Sequence, residues 1–144
     1  MKIVITDKEP KLQTKLEEFT AKHQLLFNSK TWRSNYPADS VVQCAILNNN
    51  NDVIGCFNYF IFSRWRFKFV ITPPYSPHIG LFFVNPSESV VGRHSFEKDI
   101  FTLMADHLDS LSPSHIHISF PYSTVDTQPF IWKGYNWQKK EIKN

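Results

Sequence analysis

The sequence predicts an α/β fold of α+β character: a mixed, mostly antiparallel central sheet with helices on its faces. Residues 41–47 and 53–62 are β-branched and aromatic runs separated by an asparagine cluster, the signature of a hairpin. Residues 10–23 and 95–111 each place apolar side chains at helical spacing. The chain has 144 residues, 42% of them hydrophobic, so one domain over 1–144 can bury a core without disulfide or metal staples.

Lys2 to Ile5 reads as a short strand. Asp7 or Thr6 is the expected N-cap of the helix that follows, with Pro10 in its first turn and Leu12, Leu16, Phe19 and His23 as its stripe. Leu25-Leu26-Phe27 is expected to plug the core, and Asn28 or Ser29 to cap a short helix carrying Trp32 and closed before Pro37. Asn48 to Asp52 form the hairpin loop, because Asn and Asp tolerate left-handed backbone. Pairing Leu47 with Val53 sets Cys44 opposite Cys56, so two reduced thiols are expected side by side. A bulge at Gly55 would turn them to opposite faces.

A second turn is expected near Arg64-Trp65-Arg66. Residues 73–77 contain three prolines and form a rigid crossing segment. Residues 79–84 return to strand and 85–93 are a polar loop. Ser95 is the expected cap of the long helix, which Pro113 ends. Residues 115–120 form a strand. Asp126 or Thr127 caps a short helix closed by Gly134, and residues 135–142 supply a last strand.

The net charge is +3 with no basic run, a weak pull toward anionic partners. The N-terminus has no signal-peptide pattern and no apolar stretch approaches the ~20 residues of a membrane helix, so a cytoplasmic protein without a membrane span is expected. The two cysteines fit neither a disulfide framework nor a zinc spacing.

Three segments resemble the GNAT acyltransferase fold. Asn51-Asp52-Val53-Ile54-Gly55-Cys56-Phe57 resembles its step between second and third strands. The helix over 95–111 and the strand after it are similar to a second part. Pro129-Phe130-Ile131-Trp132-Lys133-Gly134-Tyr135 resembles the short helix that feeds the last hairpin. Within that superfamily, Pro73-Pro74-Tyr75-Ser76-Pro77-His78-Ile79-Gly80-Leu81-Phe82 and residues 126–135 look like FemAB-like proteins of bacterial cell-envelope and polysaccharide biosynthesis, which pair two GNAT-like units in one chain. The resemblance implies acyl or aminoacyl transfer to a small-molecule, sugar or peptide acceptor. It implies a single unit whose last hairpin strand is incomplete, and hence a homodimer or a second GNAT-like polypeptide. Acetyl-CoA or another acyl-CoA is implied only where the cofactor loop is intact. That loop would be residues 84–94, where Gly92 stands without closely spaced glycines and Arg93 and His94 offer charge.

From the residues themselves, Tyr75, His78, Asp126 and Trp132 could line one acceptor pocket, with His78 as a base. The plainer alternative makes the two aromatics core and Asp126 a helix cap. His115 and His117 share a strand face, but no third ligand accompanies them, so no metal is expected. Arg64, Arg66 and Lys68 alternate with Trp65, Phe67 and Phe69. As one strand this would set charges and aromatics on opposite faces, which weighs against a nucleic-acid binder. A non-catalytic binding domain is the alternative to the transferase, with a single-stranded nucleic-acid binder further off.

Overall fold

A computed structural model describes residues 1–121 and Gly134. The chain divides into two compact units. The first holds Met1–Val84 and resumes at Ser112; the second is built on Asn85–Leu111.

The first unit is a six-stranded sheet with helices. Strands β1 (Lys2–Ile5), β2 (Val41–Leu47), β3 (Val53–Arg64) and β4 (Phe67–Ile71) pair antiparallel in that order. β6 (His115–His117) then joins β4 in parallel, and β5 (Phe82–Phe83) pairs with β3 off that path. The mixed, mostly antiparallel sheet is the one the sequence predicts. Helix α1 (Pro10–Lys22) lays Leu12 and Leu16 against Ala45, Leu47 and Cys56, with Val4, Phe19, Leu25 and Val53 packed around them. Leu16 is fully buried, and burying one such side chain contributes about 1.5–3 kcal/mol. A short helix α2 (Lys30–Arg33) follows, capped by Ser29, whose Oγ accepts the Trp32 amide at 3.1 Å. The second unit carries α3 (Val90–Ser110), whose buried stripe is Ile100, Phe101, Met104, Ala105 and Leu108.

Several local expectations are corrected. Thr6 and Asp7 do not cap α1; they belong to a 3-10 turn, and Glu9 caps through its backbone alone. Leu26 does not plug the core: it is exposed, while the following Asn28 is buried. Helix α3 starts at Val90 rather than after Ser95, because Ser89 Oγ accepts the Gly92 amide at 3.0 Å and begins the helix well over a turn early. The segment 79–84 keeps only Phe82–Phe83 as strand, since Gly80 turns to φ +67°.

The hairpin forms as expected, with Asn48 Oδ1 accepting the amides of Asn50 and Asp52 at 2.9 Å each and Asn51 at φ +62°. Its register does not. Leu47 pairs with Val53, but Ile46 pairs with Gly55, so Ile54 is the extra residue of a bulge. Cys56 then pairs with Ala45 and Cys44 with Phe57, which turns the two thiols to opposite faces of the sheet. The cause is tertiary. A Cβ on Gly55 would lie 2.7 Å from the Phe82 carbonyl oxygen and 2.8 Å from the Phe83 Cβ, so β5 packs tightly over the bulge. Both thiols are buried and neither is in a disulfide.

The turn at residues 65–66 is where the sequence places it, but it reverses the faces beyond it. Arg64 pairs with Phe67 and Phe62 with Phe69, so Arg64 shares a face with those aromatics and Lys68 points the other way.

Candidate functional site

Two loops of the first unit meet beside the sheet to make an aromatic box. Trp32 comes from α2, and Asn35, Tyr36 and Pro37 from the turn after it. Phe60 comes from β3, and Pro74 and Tyr75 from the proline-rich crossing. The box is an open cleft of about 420 Å³, within the usual range for small-ligand sites of about 300–1,000 Å³.

The crossing segment is held to α2 and the turn after it by polar contacts. The Trp32 indole N–H donates to Ser76 Oγ at 2.9 Å, and Tyr36 Oη is 3.1 Å from the same hydroxyl. The Tyr36 hydroxyl also donates to the Pro74 carbonyl. Ser76 N donates to the Pro73 carbonyl at 3.0 Å, which closes a turn with Pro74 and Tyr75 at its corners. Tyr75 holds φ +66° there and is 96% exposed. That corner ordinarily favours Gly or Asn, so a bulky aromatic in it is held at a cost.

Among the sequence-predicted site residues, Tyr75 is a wall of the box. His78 is not: its ring packs edge-on against Phe27 at 5.4 Å, and Phe27 packs edge-on against Trp32 at 5.0 Å. His78 Nδ1 accepts the Gly80 amide at 2.9 Å, so the neutral ring carries its proton on Nε2 and the lone pair a base would use is taken. Burial holds the imidazole below its ordinary pKa. Asp126 and Trp132 lie outside the described residues. The walls that went unforeseen are Trp32, Tyr36 and Phe60. Only Tyr36 carried a local signal, an aromatic beside proline at Tyr36-Pro37 as at Pro74-Tyr75; Trp32 and Phe60 carried none.

A buried amide network backs the crossing segment. Asn28 Nδ2 donates to the Gly80 carbonyl at 2.7 Å, Asn58 Nδ2 to the Phe27 carbonyl at 2.9 Å, and Gln43 Nε2 to the Asn28 carbonyl at 2.7 Å. These bonds fix both asparagine amides and aim their oxygens at Gly80. A Cβ there would lie 2.7 Å from each of them.

The loop that would hold an acyl-CoA pyrophosphate belongs to the second unit and is packed on itself. Ser89 takes the Gly92 amide, and Asn85 Oδ1 takes the Ser87 amide at 3.0 Å. Asn85 Nδ2 donates to the Arg93 carbonyl at 3.1 Å. Ser87 Oγ lies 2.0 Å from where a Cβ on Gly92 would stand. Gly92 therefore makes room for the chain's own serine, and two amides that could face an anion are already engaged. The residues present do not fit an acyl-CoA grip. Among the described residues, no group of three His, Cys, Asp or Glu could hold a metal ion.

The sequence matches no protein-family profile and no curated protein. Solved structures do resemble it. A protein described as a probable acetyltransferase overlays 100% of this chain and 95% of its own at a TM-score of 0.54 and 11% identity. The fold is that of the GNAT-like acetyltransferases. Looser overlays, which add nothing to that assignment, come from a Pyrococcus furiosus protein provisionally described as an acetyl transferase and from an aminoglycoside acetyltransferase of an uncultured soil sample. The first has a TM-score of 0.47 at 9% identity, covering 99% of this chain and 97% of its own. The second has 0.44 at 9%, covering 99% and 93%.

Proposed function

We propose that this chain is an acyl- or aminoacyl-transferase-type domain of the FemAB-like branch, serving bacterial envelope or polysaccharide assembly as the half that shapes the acceptor cleft. The observation that carries the proposal is the aromatic box on an acetyltransferase-like fold. Among the described residues its walls carry no carboxylate and no imidazole, so these walls bind and orient an acceptor and supply no base to deprotonate an amine. Orientation is itself a large part of amine acylation. The self-packed turn before α3 favours the acceptor-shaping role over a unit that grips acyl-CoA.

Saturation-transfer NMR with glucosamine and with a glycine dipeptide tests this. One of the two should show contact with the aromatic box, and Tyr75→Gly should abolish it without lowering the melting temperature, since Gly relieves the positive φ. Neither probe binding, or binding that survives Tyr75→Gly and Trp32→Ala together, would overturn the acceptor reading.

A further inference from the structure

We propose that the tip of the β3–β4 hairpin, residues 62–68, docks this chain on an anionic lipid surface. The tip stands clear of the rest of the sheet. The pairing of β2 with β3 begins at Val41 and Phe60, with Ile61 N still reaching the Ser40 carbonyl at 2.9 Å. Beyond that point β3 has, among the described residues, β4 alone, and residues 62–67 are all exposed.

The chemistry of the tip is apolar at the apex and cationic at the shoulders. Trp65 is 92% exposed, Phe62 38% and Phe67 46%. Arg64 and Arg66 flank Trp65, Lys68 follows, and no acidic residue occurs between Asp52 and Glu88. The turn sets Arg64 on the same face as Phe62 and Phe67. Tryptophan prefers the bilayer interface, where its ring meets the headgroups. A basic residue at an anionic leaflet adds about fivefold to partition.

The backbone gives a second, independent reason. Trp65 opens a two-residue loop at φ +59°, a position that favours Gly, Asn or Asp. A bulky residue at positive φ is an outlier, and an exposed one regains nothing from packing. The fold alone would place glycine there.

A single-stranded nucleic acid would also meet aromatics and cations, but it needs open ring faces. Here the rings cover one another: Phe62 stacks on Phe69 at 4.9 Å and 7°, and Phe69 on His115 at 5.1 Å and 19°. Trp65 alone among the tip's rings is almost wholly exposed, a single anchor that suits a lipid interface better than a run of stacked bases. The same run of rings continues through Phe60, 5.8 Å from Phe62, to Tyr36, 6.2 Å from Phe60. The tip and the acceptor box therefore share one face of the sheet, although the docking proposal stands without that box.

Vesicle co-sedimentation tests it, with phosphatidylcholine vesicles that contain either no anionic lipid or roughly one quarter phosphatidylglycerol. The wild-type chain should bind the anionic vesicles, bind the neutral ones weakly, and lose binding as salt rises. Trp65→Gly should weaken binding about tenfold while leaving the melting temperature equal or higher, because glycine suits the turn. Arg64→Gln with Arg66→Gln should weaken it about 25-fold. Absence of binding to the anionic vesicles would overturn the proposal, as would Trp65→Gly binding as tightly as the wild type. So would Trp65-dependent binding to oligothymidylate in place of vesicles.

Discussion

Gly80→Ala is predicted to be among the most damaging single substitutions in the described residues. Gly80 sits at φ +67°, and alanine in left-handed backbone costs about 1–2 kcal/mol. The added Cβ would also stand 2.7 Å from both Asn28 Oδ1 and Asn58 Oδ1. Neither amide can simply rotate away. Asn28 Nδ2 holds the Gly80 carbonyl and Asn58 Nδ2 the Phe27 carbonyl, and each such bond contributes roughly 1 kcal/mol net. Relieving the clash therefore breaks one or both bonds, and overpacking adds about 1–3 kcal/mol. The expected total is about 3–7 kcal/mol, or a fall of roughly 10–20 °C in Tm. Urea denaturation of the wild type and Gly80→Ala measures it. Repeating the substitution in an Asn58→Ala background should recover part of the loss, since one of the two clashing oxygens is gone. A loss under about 1 kcal/mol, or no coupling to Asn58, would refute the convergence of both amides on Gly80.

Two further outcomes follow from burial. His78 and His107 are held below the ordinary histidine pKa by burial, so the unfolded chain takes up protons there first as pH falls. Their stabilising contribution is complete above about pH 6.5 and is lost as pH drops through the lowered folded values. The urea midpoint should fall between about pH 7.5 and pH 5.5, less steeply in His78→Gln; a midpoint that is flat or rises over that interval would contradict this. Burial also pushes the Cys56 thiol up to about 12 and raises Cys44 as well. Ellman titration should therefore find no reactive thiol in the native protein and both in urea; fast native reaction would place a cysteine at the surface.

What the sequence made legible was local chemistry. The asparagine loop, the Ser29 cap and the turn at residues 65–66 are each decided by a few adjacent residues. The hairpin register was not, because its bulge depends on the close approach to Gly55 of β5, which lies far along the chain at Phe82–Phe83. The start of α3 was misplaced because Ser89 and Ser95 offer the same capping hydroxyl, and only the folded loop shows which one meets the Gly92 amide. The face of Arg64 depended on one positive φ at Trp65, which no composition reveals. Tyr75 was found because it stands beside prolines. Trp32, Tyr36 and Phe60 join it only when α2, β3 and the crossing segment meet, and no pattern within any of these segments announces that meeting.

Calorimetric titration with acetyl-CoA bears most directly on the proposed role as an acceptor-shaping unit. The self-packed turn of Asn85, Ser87, Ser89 and Gly92 predicts no stoichiometric complex, even where an acceptor probe binds the aromatic box. A one-to-one complex of about micromolar affinity would contradict it, and would instead make this chain a unit that grips its own acyl donor.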